Sequence, residues 1–354
     1  MTQPGPGTDV LIAHANFAKG FRGGERQTQL LIESLSKKGY SQKLLVRKGS
    51  ELGRRCRGIS NLKVIEIAKP YAFHVGRLKG VSLLHAHETK AAQFALFGKR
   101  LLGVPYIVTR RVDHAIKNNA FNRALYASAA QCVALSKAIR HEIQKIVPAT
   151  DVAIIPSAWS RLSFDEKNVA ALQQRFEGKF VVGHIGALVD RHKGQAVLIE
   201  AARILEKTHP DIHVILLGSG SDEAALKAQA EGLGNVTFEG FVDNVGDYLK
   251  CFDLFAFPSR YEGLGSILFD AMQFDVPIVA SNVGGIPDII QHEENGLLVP
   301  PSDARALADA INRLVYDKAL RRKLSTNAHS RLNAFSPDAM AAKYEWIYHL
   351  TLAK

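Results

Sequence analysis

The sequence predicts an α/β protein built from two domains, each with a parallel β-sheet covered by helices. Three observations lead to this prediction: the length of 354 residues, the alternation of short apolar runs with amphipathic helical stretches, and a polar break near the middle. A chain of this length fits two domains of roughly 150 to 200 residues each. Apolar runs that alternate with helical stretches are typical of βαβ units, which form parallel sheets.

The first half contains seven apolar runs that are short enough to be strands. We predict strands at residues 9–13, 43–46, 63–65, 81–84, 106–109, 132–135 and 153–155, with helices between them that include 25–38 and 90–102. From residue 156 to about residue 178 the sequence is polar and has no strand pattern, which indicates a linker with a short helix. We therefore assign residues 1–170 to the first domain.

The strand pattern restarts at residue 180. We predict six further strands at residues 180–185, 214–217, 236–238, 254–257, 278–280 and 297–299. Three helical stretches follow at 304–316, 318–334 and 338–353, and Pro337 lies at the first turn of the last one, where proline is tolerated. The second domain should span residues 171–335. The terminal helix, 336–354, has no strand of its own, and we expect it to cross back onto the first domain.

Charge is divided unevenly along the chain. The residues up to Glu177 have a net charge of +16, whereas the remainder have −5. This asymmetry indicates that the first domain binds an anionic partner: a nucleic acid, a phosphorylated substrate or an acidic membrane surface.

Cysteine use and hydropathy indicate the compartment. Cys56, Cys132 and Cys251 are odd in number and have no CxxC spacing, which argues against a disulfide framework or a zinc site and favours a reducing compartment. No run of 18 apolar residues is present, and residues 1–7 are rich in Pro and Gly, unlike a signal peptide. We expect a cytoplasmic protein with peripheral membrane contact at most.

The segment from Pro258 to Met272 leaves a predicted strand, turns through glycines and enters a helix. In an open α/β sheet, ligands bind at the carboxyl ends of strands, where the first N–H groups of the next helix favour anions. The glycines would let a diphosphate approach the main chain closely. Glu262 on the loop and Asp270, more than one turn into a helix that begins near Gly265, would place two acids at different depths of one site.

Five segments of the second half resemble the donor site of the large retaining family four of glycosyltransferases, namely residues 259–265, 270–272, 277–281, 284–288 and 295–299. The resemblance implies the GT-B fold, in which two Rossmann-like domains face a central cleft, and a nucleotide-sugar substrate. It also implies that Glu262 contacts the donor sugar and that Asp270 holds the ribose hydroxyls, although the family usually has glutamate at the second position.

Residues 183–194, 216–220 and 240–242 are similar to the same family. Lys193 matches a family lysine that neutralises the donor diphosphate. Ala187 stands where many relatives have arginine, so Arg191 is the candidate for a second positive charge. The resemblance predicts the donor-binding residues Gly23, Gly24, Gly186, Arg191, Lys193, Gly218, Phe241, Val242, Glu262, Gly263, Leu264, Gly265, Ser266 and Asp270.

In the first domain, residues 19–26 resemble the family's glycine-rich loop, with Arg22 where glycine is commoner, and residues 85–88 resemble its histidine-containing loop. Residues 110–114 end the next strand, where arginines occupy a position at which many relatives have histidine. We predict catalytic roles for Glu262, Lys193 and His87. The predicted acceptor-binding residues are Arg22, His87, Arg110, Arg111 and Asp113.

Plainer interpretations stay open for these first-domain residues. Residues 19–26 would also fit an ordinary βα turn, His85 a packed strand residue, and Arg110 with Arg111 a solvated surface pair. A metal site at His85 and His87 is not expected, because no third ligand has a recognisable spacing. If Arg22, Arg110 and Arg111 cluster, they would suit a phosphorylated acceptor.

The sequence contains no Asp-x-Asp, the metal-diphosphate motif of the other main glycosyltransferase fold. We therefore expect a reaction without metal or cofactor, in which the nucleotide-sugar, carrying UDP, ADP or GDP, is a substrate. The resemblance implies retention of anomeric configuration. With the basic first domain it suggests an oligosaccharide or lipid-linked acceptor in lipopolysaccharide core or envelope polysaccharide synthesis, at the inner face of the cytoplasmic membrane, which is anionic.

Two alternatives of other kinds remain at this point. One is a nucleotide-sugar epimerase of the same fold, which would need no acceptor. The other is a basic nucleic-acid-binding protein, prompted by the sequence pI of about 9.5. Against the second, the chain has no basic-aromatic RNA motif or zinc-finger spacing, so no nucleic-acid partner is expected.

Overall fold

The computed structural model describes residues 10–353 and divides the chain into two compact units. The first unit ends at Ala158 and resumes at Ala334, and the second unit comprises Trp159–Asn333. Residues 1–7 and Asp9, the predicted start of the first strand, lie outside the described residues.

Both units contain strands at every predicted position. The strands are β1 (Leu11–Asn16), β2 (Ser41–Arg47), β3 (Leu62–Ile67), β4 (Leu83–Ala86), β5 (Tyr106–Arg110), β6 (Gln131–Ala134), β7 (Val152–Ile154), β8 (Phe180–Ile185), β9 (Ile212–Leu217), β10 (Val236–Gly240), β11 (Leu254–Phe257), β12 (Ile278–Ser281) and β13 (Leu297–Val299). The predicted α/β fold class is confirmed.

Helices connect these strands. They are α1 (Gly23–Lys37), α2 (Glu51–Cys56), α3 (Thr89–Leu102), α4 (Ala120–Ala127), α5 (Lys137–Gln144), α6 (Glu166–Arg175), α7 (Asp190–Lys193), α8 (Gln195–Glu206), α9 (Glu223–Gln229), α10 (Val245–Cys251), α11 (Ile267–Gln273), α12 (Ala304–Tyr316), α13 (Lys318–Ser330) and α14 (Pro337–Leu352), with short 3-10 helices at Tyr71–Leu78, Ile286–Asp288 and Leu332–Phe335. None of the helices within residues 10–353 combines the length and apolar character needed to cross a bilayer.

Each unit has one parallel sheet with the same kind of strand order. The first sheet runs β3-β2-β1-β4-β5-β6-β7, and the second runs β10-β9-β8-β11-β12-β13. The order reverses between β1 and β4 in the first unit and between β8 and β11 in the second. Ligands of open α/β sheets bind outside the carboxyl ends of the strands at such reversals, so each unit has one favoured place for a site.

The terminal helix α14 belongs to the first unit, as the sequence predicted. Its residues Tyr344 and Tyr348 are 1% exposed and pack in a core with Leu31 and Leu35 of α1. At the edge of this contact the Tyr40 hydroxyl donates to Glu345 over 2.9 Å. Burial of this apolar face is what holds the helix against the sheet.

The first domain boundary lies earlier than the sequence predicted. The structure divides the chain between residues 158 and 159, not 170 and 171, because α6 is attached to the second unit. The Asp165 N–H, at the start of α6, donates to the Asp247 carboxylate over 2.7 Å, and the Asn168 side chain donates to the same carboxylate over 2.9 Å. The second division likewise falls between residues 333 and 334 in place of 335 and 336.

Candidate functional site

In the second unit, the loop after β8 and the loop after β11 are tied together at the strand reversal. The main-chain N–H groups of Arg260 and Tyr261 donate to the His192 carbonyl over 2.8 and 3.2 Å. Gly194 lies at the tightest contact between the loops: its φ is +67°, and a Cβ there would lie 2.1 Å from the Pro258 carbonyl oxygen. Only glycine tolerates both conditions, so the local sequence fixes the spacing of the two loops.

This arrangement brings Lys193 and Glu262 together. The Lys193 Nζ lies 2.5 Å from a Glu262 carboxylate oxygen, and the side chains are 26% and 15% exposed. The same ammonium lies 5.2 Å from the centre of the Phe257 ring. A half-buried ammonium can neutralise a phosphate, and a carboxylate beside it can accept hydrogen bonds from sugar hydroxyls.

Three glycines line the ends of the neighbouring strands. Gly218 after β9 has φ +133°, and a Cβ there would lie 2.0 Å from the Gly186 carbonyl oxygen after β8. The Gly218 N–H donates to the Gly240 carbonyl of β10 over 2.7 Å. The predicted donor-site residues Phe241 and Val242 follow directly; Phe241 is 74% exposed.

The glycine turn before α11 also differs in detail from the prediction. The helix begins at Ile267, after Ser266, so Asp270 lies in its first turn. Asp270 is 7% exposed, and its carboxylate accepts the Ser160 N–H over 3.0 Å. Gly265 has φ +86°, which favours glycine, and Gly263 and Leu264 are buried beside it. The sequence placed Asp270 more than one turn into the helix and not in its first turn, and it did not reveal the partner of the carboxylate 110 residues away.

A second positive charge lies on the loop after β11. Arg260 pairs with Asp190 over 3.2 Å and donates to the Ser302 hydroxyl over 2.7 Å, whereas the predicted Arg191 is exposed. Asp190 also accepts the Ala196 N–H over 2.7 Å, at the start of α8. Arg260 was not among the predicted donor-binding residues, although it lies beside Ser259 in the glycine-turn segment; the role of Arg191 stays a prediction.

In the first unit, a cavity of about 500 Å³ opens at the reversal between β1 and β4. It is lined by four of the five predicted acceptor residues, Arg22, His87, Arg110 and Arg111, together with Gly24; Asp113 and Gly23 are not among the lining residues. The cavity lining also includes residues that the sequence did not single out, namely Glu25, Glu88, Thr109, Lys117, Asn122 and Tyr126.

Behind His87 lies a buried histidine network. His14 Nδ1 lies 3.0 Å from His87 Nε2, and His14 Nε2 lies 3.1 Å from Gln42 Oε1. His85 contacts the Tyr348 hydroxyl through Nδ1 and the Thr109 hydroxyl through Nε2, both over 2.7 Å. Burial lowers the pKa of His14 to about 4 and lowers those of His85 and His87 well below 6.5. All three rings are therefore neutral at physiological pH.

The partners of this network assign the tautomer of His87. The Gln42 amide nitrogen donates to the Ile32 carbonyl over 3.1 Å, so its oxygen faces His14, whose Nε2 must carry a proton. Since His14 is neutral, its Nδ1 accepts, and His87 Nε2 donates. His87 Nδ1 is left with a lone pair and no hydrogen-bond partner within the described part of the chain. His87 thus offers a hydrogen-bond acceptor at Nδ1.

His14 supplies the third histidine that the sequence did not reveal beside His85 and His87. One ring nitrogen from each lies within 4.8 Å of the others, close enough to surround a metal ion. Every ring nitrogen of the three except His87 Nδ1 takes part in one of the hydrogen bonds given above, however. We interpret the trio as a hydrogen-bond network that orients His87. The signal in the sequence was a histidine directly after the apolar first half of β1.

Arg110, the last residue of β5, and Arg111, directly after it, are neither equivalent nor simply solvated. Arg110 donates to the Tyr126 hydroxyl over 3.3 Å and to the His114 carbonyl, which fixes the loop after β5. The Nε atom of Arg110 is buried and has no hydrogen-bond partner among residues 10–353, and in Arg111 the same is true of both Nε and Nη2. Burial lowers the pKa of Arg111 from its usual value.

Two sequence models of known families match the chain. Residues 22–158 match the family described as "Glycosyl transferase 4-like domain", and residues 165–331 match "Glycosyl transferases group 1". The two matches fall on the first and second units respectively, and together they cover most of the chain.

Individual proteins agree with these matches. The chain is 25% identical to the lipopolysaccharide core biosynthesis glycosyltransferase LpsE of Rhizobium meliloti, over 95% of this chain and 98% of that protein. It is 27% identical to the N-acetyl-alpha-D-glucosaminyl L-malate synthase of Bacillus anthracis, over 61% of this chain and 58% of that protein. The solved structure of Anabaena HepE with UDP and glucose has a TM-score of 0.82 at 19% identity, covering 95% of this chain and 98% of that one, which shows the shared fold. The chain therefore belongs to the glycosyltransferases of the GT-B fold that join a 4-like domain to a group 1 domain.

Proposed function

We propose that this glycosyltransferase moves a sugar from a nucleotide-sugar donor to an oligosaccharide or lipid-linked acceptor in lipopolysaccharide core or envelope polysaccharide synthesis. The observation that carries the proposal is the Lys193–Glu262 pair, held by two glycine-dependent loops at the strand reversal of the second unit. The names of the relatives support it, since LpsE acts in lipopolysaccharide core biosynthesis and HepE was solved with UDP and glucose.

In this proposal Lys193 neutralises the leaving nucleoside diphosphate, and the diphosphate takes the place of Glu262 as partner of the ammonium. Glu262 is then free to accept hydrogen bonds from the donor sugar, while Asp270 holds the ribose. Positive charge placed in advance where negative charge develops is the largest single contribution to catalysis of many such reactions. The main chain at Gly186 and Gly218 lets the donor approach the strand ends closely.

A lysine variant with a matched control tests this assignment. We expect Lys193→Gln to lower kcat/KM by about 10²- to 10³-fold, because a charge at the leaving group is lost. Lys227→Gln removes an exposed lysine of the same unit, whose ammonium pairs with Glu223 and lies 5.8 Å from the centre of the Phe238 ring, and should leave the rate unchanged. Thermal-shift screening of UDP-, ADP- and GDP-sugars identifies the donor first, and turnover with the selected donor gives the rates.

Two results would contradict the proposed function. One is a Lys193→Gln variant as active as the Lys227→Gln control. The other is conversion of the donor to an isomer in the absence of acceptor, which would identify a nucleotide-sugar epimerase.

We infer further that the anomeric configuration is retained and that no metal ion takes part. The absence of an Asp-x-Asp motif and the presence of Lys193 at the donor loops support the second inference. NMR of the new linkage should show the anomeric configuration of the donor, and activity should survive EDTA. An inverted product, or loss of activity that Mg²⁺ restores, would overturn the respective inference.

Contact with the inner face of the cytoplasmic membrane is also part of the proposal. At the end of α3, the exposed cations Lys99 and Arg100 are followed by Leu101 and Leu102, which are 68% and 37% exposed. Each cation near an anionic surface contributes about 1 kcal/mol, and exposed leucines add apolar contact. We expect a Leu101→Ser, Leu102→Ser variant to sediment less with vesicles of anionic lipid at low salt. Leu350→Ser, at another exposed leucine, is the control, and equal sedimentation of both variants would refute the contact.

A further inference from the structure

Arg111 has an unsatisfied donor edge inside the cavity of the first unit. Its Nε and Nη2 atoms are buried, and no residue of the described range accepts a hydrogen bond from them. Leaving a buried charge without a partner is costly, so such groups are nearly always paired in folded proteins. The two nitrogens lie on the same edge of the guanidinium, where they form the fork that binds two oxygens of a carboxylate or phosphate.

The acids that line the cavity are already engaged by main-chain donors. Glu25 accepts the Arg22 N–H over 2.9 Å within the capping box of α1. Glu88 accepts the N–H groups of Lys90 and Ala91, both over 2.8 Å, at the start of α3. Glu25 is near enough to raise the pKa of Arg111 against the larger, opposite effect of burial, but neither carboxylate forms an ion pair with Arg111, so the fork has no acidic partner in the described part of the chain.

The surroundings of the fork favour an anion. Arg22, Arg110 and Lys117 also line the cavity, which gives it more cationic than acidic side chains. The stem of Arg111 packs against the first turn of α1, since a Cβ on Gly24 would lie 3.4 Å from Arg111 Cδ. The fork is therefore close to the positive end of a 15-residue helix.

We propose that the Arg111 fork binds a phosphate or carboxylate group of the acceptor, while His87 Nδ1 accepts a hydrogen bond from a hydroxyl of the same molecule. The acceptor class is thus a sugar that bears an anionic group. This inference rests on the proposed glycosyl transfer, but it concerns the acceptor and not the donor. Arg111 is the residue that sets this specificity.

The experiment measures the rise in Tm of the full chain that inorganic phosphate causes in the presence of saturating UDP. We compare wild type with Arg111→Met, Arg111→Lys and the control Arg77→Met, which changes an exposed arginine outside the cavity lining. General effects of phosphate on protein stability are common to all four proteins and cancel. A parallel titration with D-glucuronate distinguishes a carboxylate ligand from a phosphate ligand.

We expect wild type and Arg77→Met to respond to at least one of the two anions, Arg111→Met not to respond, and Arg111→Lys to bind at least about tenfold more weakly. Without anion, Arg111→Met should have a Tm a few degrees above wild type, because it removes an unpaired buried charge. A purely structural arginine would give the opposite shift. If Arg111→Met does not fold, the Arg111→Lys affinity decides.

Three outcomes would overturn the inference: anion responses of Arg111→Met and Arg111→Lys equal to that of wild type, a folded Arg111→Met with a Tm below wild type, or a wild-type anion response that is present without UDP and absent at saturating UDP. Failure of the proposed function looks different. In that case UDP itself would not stabilise the protein, or Lys193→Gln would not weaken UDP binding, whatever the response at Arg111.

Discussion

Gly218 shows how a single missing side chain shapes the donor loops. Its φ of +133° and its approach to the Gly186 carbonyl leave no room for a Cβ, which would lie 2.0 Å from that oxygen. Either the strand end or the loop after β8 must move when a side chain is added. The geometry of the site therefore depends on this residue even though it has no functional group.

We expect Gly218→Ala to lower the free energy of unfolding by about 2 to 4 kcal/mol and to weaken UDP binding. Both the strained backbone at this φ and the overlap of the new Cβ with the Gly186 carbonyl oxygen destabilise the folded state. Gly232→Ala is the matched control: its φ is +81°, but nothing lies within 4 Å of the added Cβ, so only about 1 kcal/mol is expected with UDP binding intact. Urea unfolding and UDP titration measure both quantities. Equal losses for the two variants would contradict the steric argument.

The arrangement of the site residues was only partly predictable from the sequence. Lys193 and Glu262 were singled out because they lie in recognisable loops, and the structure places both loops at one strand reversal, while their roles stay predictions. The hydrogen bond between His85 and Tyr348 joins residues 263 positions apart, and no local pattern could reveal it. The unpaired edge of Arg111 is a property of its neighbours, so it becomes visible only once they are placed.

At the scale of elements, the sequence predicted all thirteen strands, because buried parallel strands are short apolar runs bounded by polar turns. It was less accurate where an element is held by tertiary contacts. The α6 helix was divided between domains, since tertiary hydrogen bonds, such as those from Asp165 and Asn168 to Asp247, are what show that it belongs to the second unit. Likewise α11 begins two residues after Gly265.

The terminal helix gives a prediction at this scale. Ile347 is 3% exposed and packs in the core of the first unit, whereas Leu350 on the same helix is 46% exposed. We expect Ile347→Ala to cost about 2 to 5 kcal/mol, through lost burial and a cavity, and Leu350→Ala to change stability by less than about 0.5 kcal/mol. Denaturant unfolding followed by circular dichroism measures both. Similar values would show that α14 does not contribute to the core.

Across the whole molecule, buried neutral histidines make stability depend on pH. In the first unit burial lowers the pKa of His14 to about 4, and in the second unit burial does the same to His184, although a hydrogen bond to the Ala256 carbonyl opposes it. In the unfolded chain a histidine has a pKa near 6.5. Between these values the unfolded chain binds more protons, so the free energy of unfolding falls as pH is lowered from about 6.5 towards 4.

We expect acidification from pH 7 to pH 5 to cost about 2 kcal/mol for each such histidine. His184→Gln removes one of these histidines, so the free energies of unfolding at pH 7 and at pH 5 should differ by about that much less than in wild type. His141→Gln, at an exposed histidine, should leave the difference as in wild type. Urea titrations at both pH values provide the test, and an unchanged difference in His184→Gln would count against burial as the cause.

The return of the chain to the first unit at Ala334 has a consequence for biosynthesis. The second unit is one continuous stretch, Trp159–Asn333, whereas the core of the first lacks Tyr344 and Tyr348 until most of α14 has been synthesised. Domains generally fold as units during translation, N-terminal ones first. We therefore expect the first unit to complete its core only after the second unit has been synthesised, with an apolar face exposed until then.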